Sequence, residues 1–180
     1  MASTRHGALQ VASERSLIRK PFRAIRFEGR SKASAEVVYD VLSDLRSHLE
    51  WAGAKQLETT RLLTMEAPAG PAGVGTEFVT TGSDGKVARF ADRSVVTESL
   101  RQGKPGSRPW HLTMVHHYEI DPDSGGCRVT YTEEITRMSG APRALAMRGI
   151  RRLIHRISAR YMRRGFDALI AMAEERTAVQ

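Results

Sequence analysis

Cysteine occurs once in the 180 residues, at Cys127, and a lone thiol closes no disulfide within its own chain. With no Cys-x-x-Cys pair and no Cys/His spacing of the zinc kind, neither a disulfide framework nor structural zinc is expected, and the reading points to a reducing compartment, the cytoplasm. Apolar runs are short. None approaches the roughly 18 consecutive apolar residues of a membrane-crossing helix, and the opening MASTRHGALQVASERSLIRK lacks the continuous apolar core of a secretory signal. There is no Gly-x-Ser-x-Gly elbow for a serine nucleophile. Gly73-Val74-Gly75 is too short for a nucleotide fingerprint and reads as a turn. Asparagine is absent and arginine outnumbers lysine 23 to 5. GC-rich coding produces that bias unaided, so the formal charge of +8 is weak ground for a polyanionic partner.

The length suits one domain, large enough to bury close to 70% of its unfolded surface without metal or disulfide. Charge is uneven: residues 1–20 carry +3, 21–140 carry −1 and 141–180 carry +6. The organisation predicted is a disordered basic leader over 1–20 and a single domain over 21–176, with a basic amphipathic helical segment at 141–164.

From Phe22 to Arg30, the residues Ile25, Phe27 and Gly29 alternate with Arg26, Glu28 and Arg30, the period of a half-buried strand. Ser34 then stands where an N-cap would, Glu36 lies in the first turn, and Val37, Val38, Val41, Leu42 and Leu45 recur at helical spacing. This predicts a helix over about 35–45, followed by a short second helix over Arg46 to Trp51. Strand-like segments rich in Val, Thr, Phe and Tyr follow at Gln56 to Met65, Gly75 to Thr81, Lys86 to Leu100, Trp110 to Ile120 and Arg128 to Arg137. Ser83-Asp84-Gly85 and the run Asp121 to Gly126 carry the residues that reverse a chain between antiparallel strands. One strand, two helices, many consecutive strands and a closing helix make an α+β arrangement without βαβ crossovers.

The wording SKASAEVVYDVLSDLRSHLEW, GVGTEF, VVTES, YEIDPDSGGCRVTYTEE and the closing FDALIAMAEE resembles the START and Bet v 1-like superfamily, in particular its bacterial polyketide cyclase and dehydrase branch, over about residues 22–176. The resemblance implies a helix-grip fold: a curved antiparallel sheet of six or seven strands wrapped on a long C-terminal helix, with two short helices after the first strand. It also implies a cavity between sheet and helix. It does not choose an activity, because the superfamily joins lipid carriers, receptors, cyclases and oxygenase subunits. The stretch from Arg101 to Pro109 stands where many relatives have a fifth apolar strand, and reads here as a loop.

On Trp110 to Ile120 one face carries Trp110, Leu112, Met114, His116, Tyr118 and Ile120; on Arg128 to Arg137 one face carries Val129, Tyr131, Glu133 and Ile135. If both faces line one concave surface, His116, Tyr118, Tyr131 and Glu133 are polar groups on an apolar wall, the composition of a small-molecule pocket. His116 and Glu133 are the candidates for orienting a ligand or moving a proton, because imidazole titrates near neutrality and burial pushes a carboxylate upward. The same residues could equally hydrogen-bond within a polar spot of the core. Trp51, Phe78 and Phe90 are further aromatics expected near the cavity. His116 and His117 are neighbours on a strand and point to opposite faces, so they do not form a metal pair. Neither metal nor cofactor is expected. Cys127 reads as a spare surface thiol in a hairpin turn.

In the C-terminal segment Ala146, Ile150, Leu153, Ile157 and Tyr161 form one stripe, and Arg148, Arg152, Arg156, Arg160 and Arg163 another. The later set Phe166, Leu169, Ile170 and Ala173 projects in a different direction, which predicts a kink or break near Gly165. The arginine stripe would suit an anionic membrane surface, or a solvated helix face. With no aromatics interleaved, nucleic acid ranks below membrane. The functional expectation is a binder or carrier of a hydrophobic small molecule (lipid, isoprenoid or polyketide-like). The alternatives are a cyclase or dehydratase using the same cavity and a peripheral membrane-surface protein.

Overall fold

The computed structural model describes residues 23–52, 62–73, 75–82, 86–91, 95–102, 111–139 and 148–179. The leader 1–20, Trp110, Ala146 and the loop 103–109 lie outside them. Strand β1 (Ile25–Ser31) leads into helix α1 (Ala35–Ser43), a 3₁₀ turn (Leu45–Ser47) and helix α2 (His48–Trp51). Strands β2 (Leu62–Glu66), β3 (Glu77–Gly82), β4 (Lys86–Ala91), β5 (Val95–Gln102), β6 (His111–Asp123) and β7 (Gly126–Ser139) follow, and helix α3 (Arg148–Val179) closes the order. The seven strands form one sheet in the order β1-β7-β6-β5-β4-β3-β2, antiparallel at every described pairing. This is the helix-grip α+β fold.

The local chemistry of the sequence accounts for most of these elements. Ser34 caps α1 by accepting from the Val37 amide at 3.4 Å, and Val38, Val41 and Leu42 form the buried side of that helix. The corner after it is held by Ser47, whose hydroxyl lies 2.8 Å from the Val41 carbonyl and accepts from the Trp51 indole N–H at 3.0 Å. His48 packs on Trp51 with ring centroids 4.4 Å apart, and its covered Nδ1 makes no hydrogen bond within the described residues.

Five expectations are corrected. Lys86 to Leu100, read as one segment, is two strands paired with each other, Val87 opposite Leu100 and Phe90 opposite Thr97. The fifth strand is therefore Val95–Gln102 and reaches into the stretch read as loop. Asp121, Pro122 and Asp123 belong to β6 rather than to a long turn, leaving Ser124-Gly125 as the reversal. Proline is tolerated there because the β5 pairing ends at Tyr118, so Pro122 has a ladder partner only on the β7 side, Cys127. Cys127 accordingly sits in β7 and is 1% exposed, a core residue and not a surface thiol; burial pushes its thiol pKa up. Finally, α3 runs unbroken through Gly165.

The grip of α3 is made by its second half. Its buried residues are Gly165, Phe166, Leu169 and Ala173. Gly29 of β1 permits the approach: a Cβ there would lie 2.8 Å from both Phe166 Cε1 and Ile170 Cδ1. Glu174 Oε1 accepts from the Lys32 amide at 2.8 Å, fixing the end of the helix to the β1–α1 connection. Arg176 and Asp44 add an ion pair at 3.2 Å, exposed enough to be worth little.

Candidate functional site

Strand pairing builds the site. His116 lies opposite Glu133 and Tyr118 opposite Tyr131 across β6 and β7, while Ile25 and Phe27 of β1 lie opposite Glu133 and Tyr131. Alternation sends these six side chains to one face of the sheet. That face is the one α3 covers, with Phe166 6.1 Å from Phe27 and 6.4 Å from Tyr131 between ring centroids. Phe27 stacks on Tyr131 at 5.8 Å and 11°, and Tyr118 tilts against it at 4.9 Å.

Within this aromatic packing the polar atoms meet. The Tyr131 hydroxyl donates to Glu133 Oε2 at 3.1 Å and lies 2.7 Å from His116 Nδ1. His116 Nδ1 and Glu133 Oε2 are 3.5 Å apart. A phenol carries one proton, so donation to Glu133 leaves its oxygen accepting, and the proton at the other contact belongs to His116 Nδ1. Tyr131 is 2% exposed and Glu133 6%. Burial first, then the Glu133 carboxylate, holds the Tyr131 phenol well above its ordinary pKa; the same two causes raise Tyr118. Both tyrosines are therefore protonated donors at any physiological pH. His116, Tyr131 and Glu133 form a chain along which a proton can be held or passed.

Glu133 also reaches a second feature, a cleft between the first half of α3 and the edge of the sheet formed by β1 and β7. Its apolar lining is Ile25, Ile135 and Ile154, and its polar lining is Arg23, Glu133, His155 and Ser158. The cleft is partly open to solvent and its volume is about 20 Å³, room for a water-sized group. His155 is one of the lining residues; its Nε2 is covered from solvent and has no hydrogen-bond partner among the described residues.

The residues singled out in the sequence separate into groups. His116, Tyr118, Tyr131 and Glu133 come together as described, and Met114 is buried on the same face, opposite Ile135. Trp51 and Phe78 are buried in the main core, Trp51 with its N–H on Ser47. Phe90 belongs to β4, and its side chain, like Trp110, is outside the described residues. Arg148, Arg152, Arg156 and Arg160 are exposed along α3. Arg163 differs: its guanidinium sits 5.6 Å over Phe27 and 5.7 Å over Phe166 and pairs with Asp167 at 2.9 Å, capping the aromatic packing. Leu153 and Ile157, at 58% and 53% exposed, lie in solvent beside the arginines.

Sequence reasoning missed Phe27, Phe166 and His155 as members of the site. The phase of Phe166, Leu169 and Ala173, carried back along one continuous helix, arrives at Ile154 and Ser158, and that periodicity was the available signal. Among the described residues no three His, Cys, Asp or Glu side chains gather as a metal ion would need, and no helix is long and apolar enough to cross a membrane.

Several solved structures share the fold. A protein of unknown function, SA2116 from Staphylococcus aureus, matches with a TM-score of 0.57 and 13% identity over 88% of this chain and 96% of that one. A protein from Rhizobium leguminosarum matches at 0.55 and 15% over 85% and 95%. The Zhui aromatase/cyclase from Streptomyces sp. R1128 matches at 0.52 and 14% over 86% and 95%. At such identities the likeness establishes architecture. No curated protein sequence matches the chain. The model of the family described as polyketide cyclase/dehydrase and lipid transport matches residues 25–174, from the start of β1 into the last turns of α3, and the chain belongs to that family, within the START and Bet v 1-like superfamily.

Proposed function

We propose that the protein binds a hydrophobic small molecule, of lipid, isoprenoid or polyketide-like character, between the sheet and the first half of α3. The observation that carries this reading is the position of Glu133. It joins a buried hydrogen-bonded chain to a cleft walled by Ile25, Ile135 and Ile154, at the place where α3 ceases to be buried against the sheet. Apolar walls with a few convergent polar groups are the composition that holds and orients such ligands. The cleft is water-sized as it stands, so a ligand body enters by displacing the helix half that carries Ile154 and His155. Exposed Leu153 and Ile157 beside Arg152, Arg156 and Arg160 would present that half to an anionic membrane from which an apolar ligand could be drawn. Native mass spectrometry and solvent extraction of the purified protein test the proposal. A copurified apolar compound, or saturable uptake of one, supports it; a protein that neither carries nor takes up any apolar molecule sinks it.

A second reading, favoured by the His116–Tyr131–Glu133 chain, is a cyclase or dehydratase acting in the same place. Closing a ring on a polyketide requires a proton taken from carbon and one delivered to oxygen, and holding the substrate chain folded would supply much of the acceleration. Turnover of a poly-β-keto substrate that falls in His116→Ala and Glu133→Ala would support this; turnover unchanged in both would remove these residues from the chemistry.

A further inference from the structure

From Arg148 to Arg164 the first half of α3 holds seven arginines and no acidic residue. Arg148, Arg152, Arg156, Arg160 and Arg164 recur at every fourth position and are exposed, and none of the five forms an ion pair among the described residues. Like charges four apart on a helix repel. The ladder also begins in a first turn without an acid, at the helix end where the backbone dipole is positive and cations are least favoured. Alone, this half is electrostatically uncompensated, and an anionic surface is what compensates it. Leu153 and Ile157, both more than half exposed, run beside the ladder, while their neighbours Ile154 and Ser158 line the cleft. No residue of α3 before Gly165 is buried. The second half, by contrast, is anchored through Phe166, Leu169 and Ala173 and by Glu174 on the Lys32 amide.

We infer that an anionic phospholipid surface is the trigger that opens the cleft, so that ligand passes by contact between bilayer and protein and not through water. The inference rests on the hydrophobic-binding reading above and adds its regulation. A surface shifts a conformational equilibrium only as far as it binds one state better than the other. With the first half of α3 seated, a bilayer reaches the arginines, Leu153 and Ile157. With it displaced, Ile154 also becomes available for burial among acyl chains, and that difference in contact favours the open state. In water the same displacement exposes Ile25, Ile135 and Ile154, the apolar walls of the cleft, so the closed state prevails there. Charge supplies the attraction and apolar contact the opening. A soluble polyanion or a nucleic acid meets the arginines but offers Leu153, Ile154 and Ile157 nothing apolar.

The experiment is stopped-flow transfer of N-phenyl-1-naphthylamine, a neutral apolar dye, from the loaded full chain to vesicles carrying a spin-labelled quencher lipid. The vesicles are phosphatidylcholine alone or phosphatidylcholine mixed with phosphatidylglycerol. Transfer to the anionic vesicles should rise in proportion to their concentration and exceed transfer to neutral ones about tenfold at low salt, an advantage that high salt removes. Transfer to neutral vesicles should not depend on their concentration, the mark of release into water first. A variant with Arg148→Gln, Arg152→Gln, Arg156→Gln and Arg160→Gln should transfer to anionic vesicles at the neutral rate, its dye affinity without vesicles unchanged, which shows the cleft intact. Soluble polyphosphate should compete with the anionic vesicles and release no dye by itself. An anionic rate that is independent of vesicle concentration, matched by neutral vesicles or kept by the glutamine variant overturns the inference while leaving hydrophobic binding standing. So does release of dye by polyphosphate alone. Failure of the protein to take up the dye removes both readings.

Discussion

The phenol oxygen of Tyr131 lies 2.7 Å from His116 Nδ1 although the two residues stand on different strands, and the same hydroxyl donates onward to Glu133 at 3.1 Å. Antiparallel pairing places His116 opposite Glu133 and Tyr118 opposite Tyr131, so the tyrosine reaches diagonally across the ladder to close the chain. Phe27 and Phe166 seal it from water on the helix side.

Tyr131→Phe keeps the stack on Phe27 and deletes the oxygen. It should lower unfolding free energy by about 1–3 kcal/mol, the usual consequence of removing a buried hydrogen-bonding partner. Urea denaturation of the two proteins checks it, and an unchanged midpoint would mean that the hydroxyl contributes nothing net.

His48 predicts an acid-sensitive fold. Burial depresses its pKa from 6.5 to about 4, against the opposing pull of Asp44 and the Leu45 backbone. Between those values the unfolded chain takes up a proton that the folded chain does not, so acidification favours unfolding. The contribution is fully present above pH 6.5 and is lost as pH falls through about 4, amounting to about 3 kcal/mol at most. Stability measured from pH 4 to 7 should fall less steeply in His48→Gln; identical slopes would contradict the assignment.

Two glycines should respond unequally to alanine. At Gly126, with φ of 141°, a Cβ would meet the Ser31 carbonyl and the Lys32 backbone, neither of which yields easily. At Gly29 it would meet side-chain atoms of Phe166 and Ile170, which can shift. Gly29→Ala should be destabilising by about 1–2 kcal/mol and Gly126→Ala by about 3 kcal/mol or more, read from thermal or urea unfolding. The reverse order would refute this account of where backbone clearance matters.

Membrane attraction should come from the exposed half of α3. Cosedimentation with anionic phospholipid vesicles should weaken with salt and fall several-fold in a Leu153→Ser, Ile157→Ser double variant. Equal binding to neutral vesicles would exclude an arginine-driven contact.

Much of this was legible in the sequence, and the reason is periodicity. Alternation on β6 and β7 put His116, Tyr118, Tyr131 and Glu133 on one face because a two-residue repeat leaves only one choice once the apolar side is known. Ser34 announced α1 by the chemistry of its own cap. Helix α3 was misread where apolarity and phase disagree. Leu153 and Ile157 are the greasier residues, yet Phe166, Leu169 and Ala173 fix the rotation of an unbroken helix, and that rotation turns Ile154, His155 and Ser158 toward the sheet. The predicted kink at Gly165 was the consequence of forcing the apolar residues inward. Cys127 was misplaced because the turn residues Asp121 to Gly126 looked like a loop, whereas β6 and β7 pair almost to the tip. Phe27's stack on Tyr131 depends on β1 lying beside β7, a long-range pairing that no local pattern encodes.

The most direct test of the central claim is methyl NMR of isoleucine-labelled protein titrated with 2-naphthol. Ile25, Ile135 and Ile154 should shift together and saturate at one site per chain. Shifts confined to solvent-facing Ile157, or none at any isoleucine, would contradict a ligand site between α3 and the sheet.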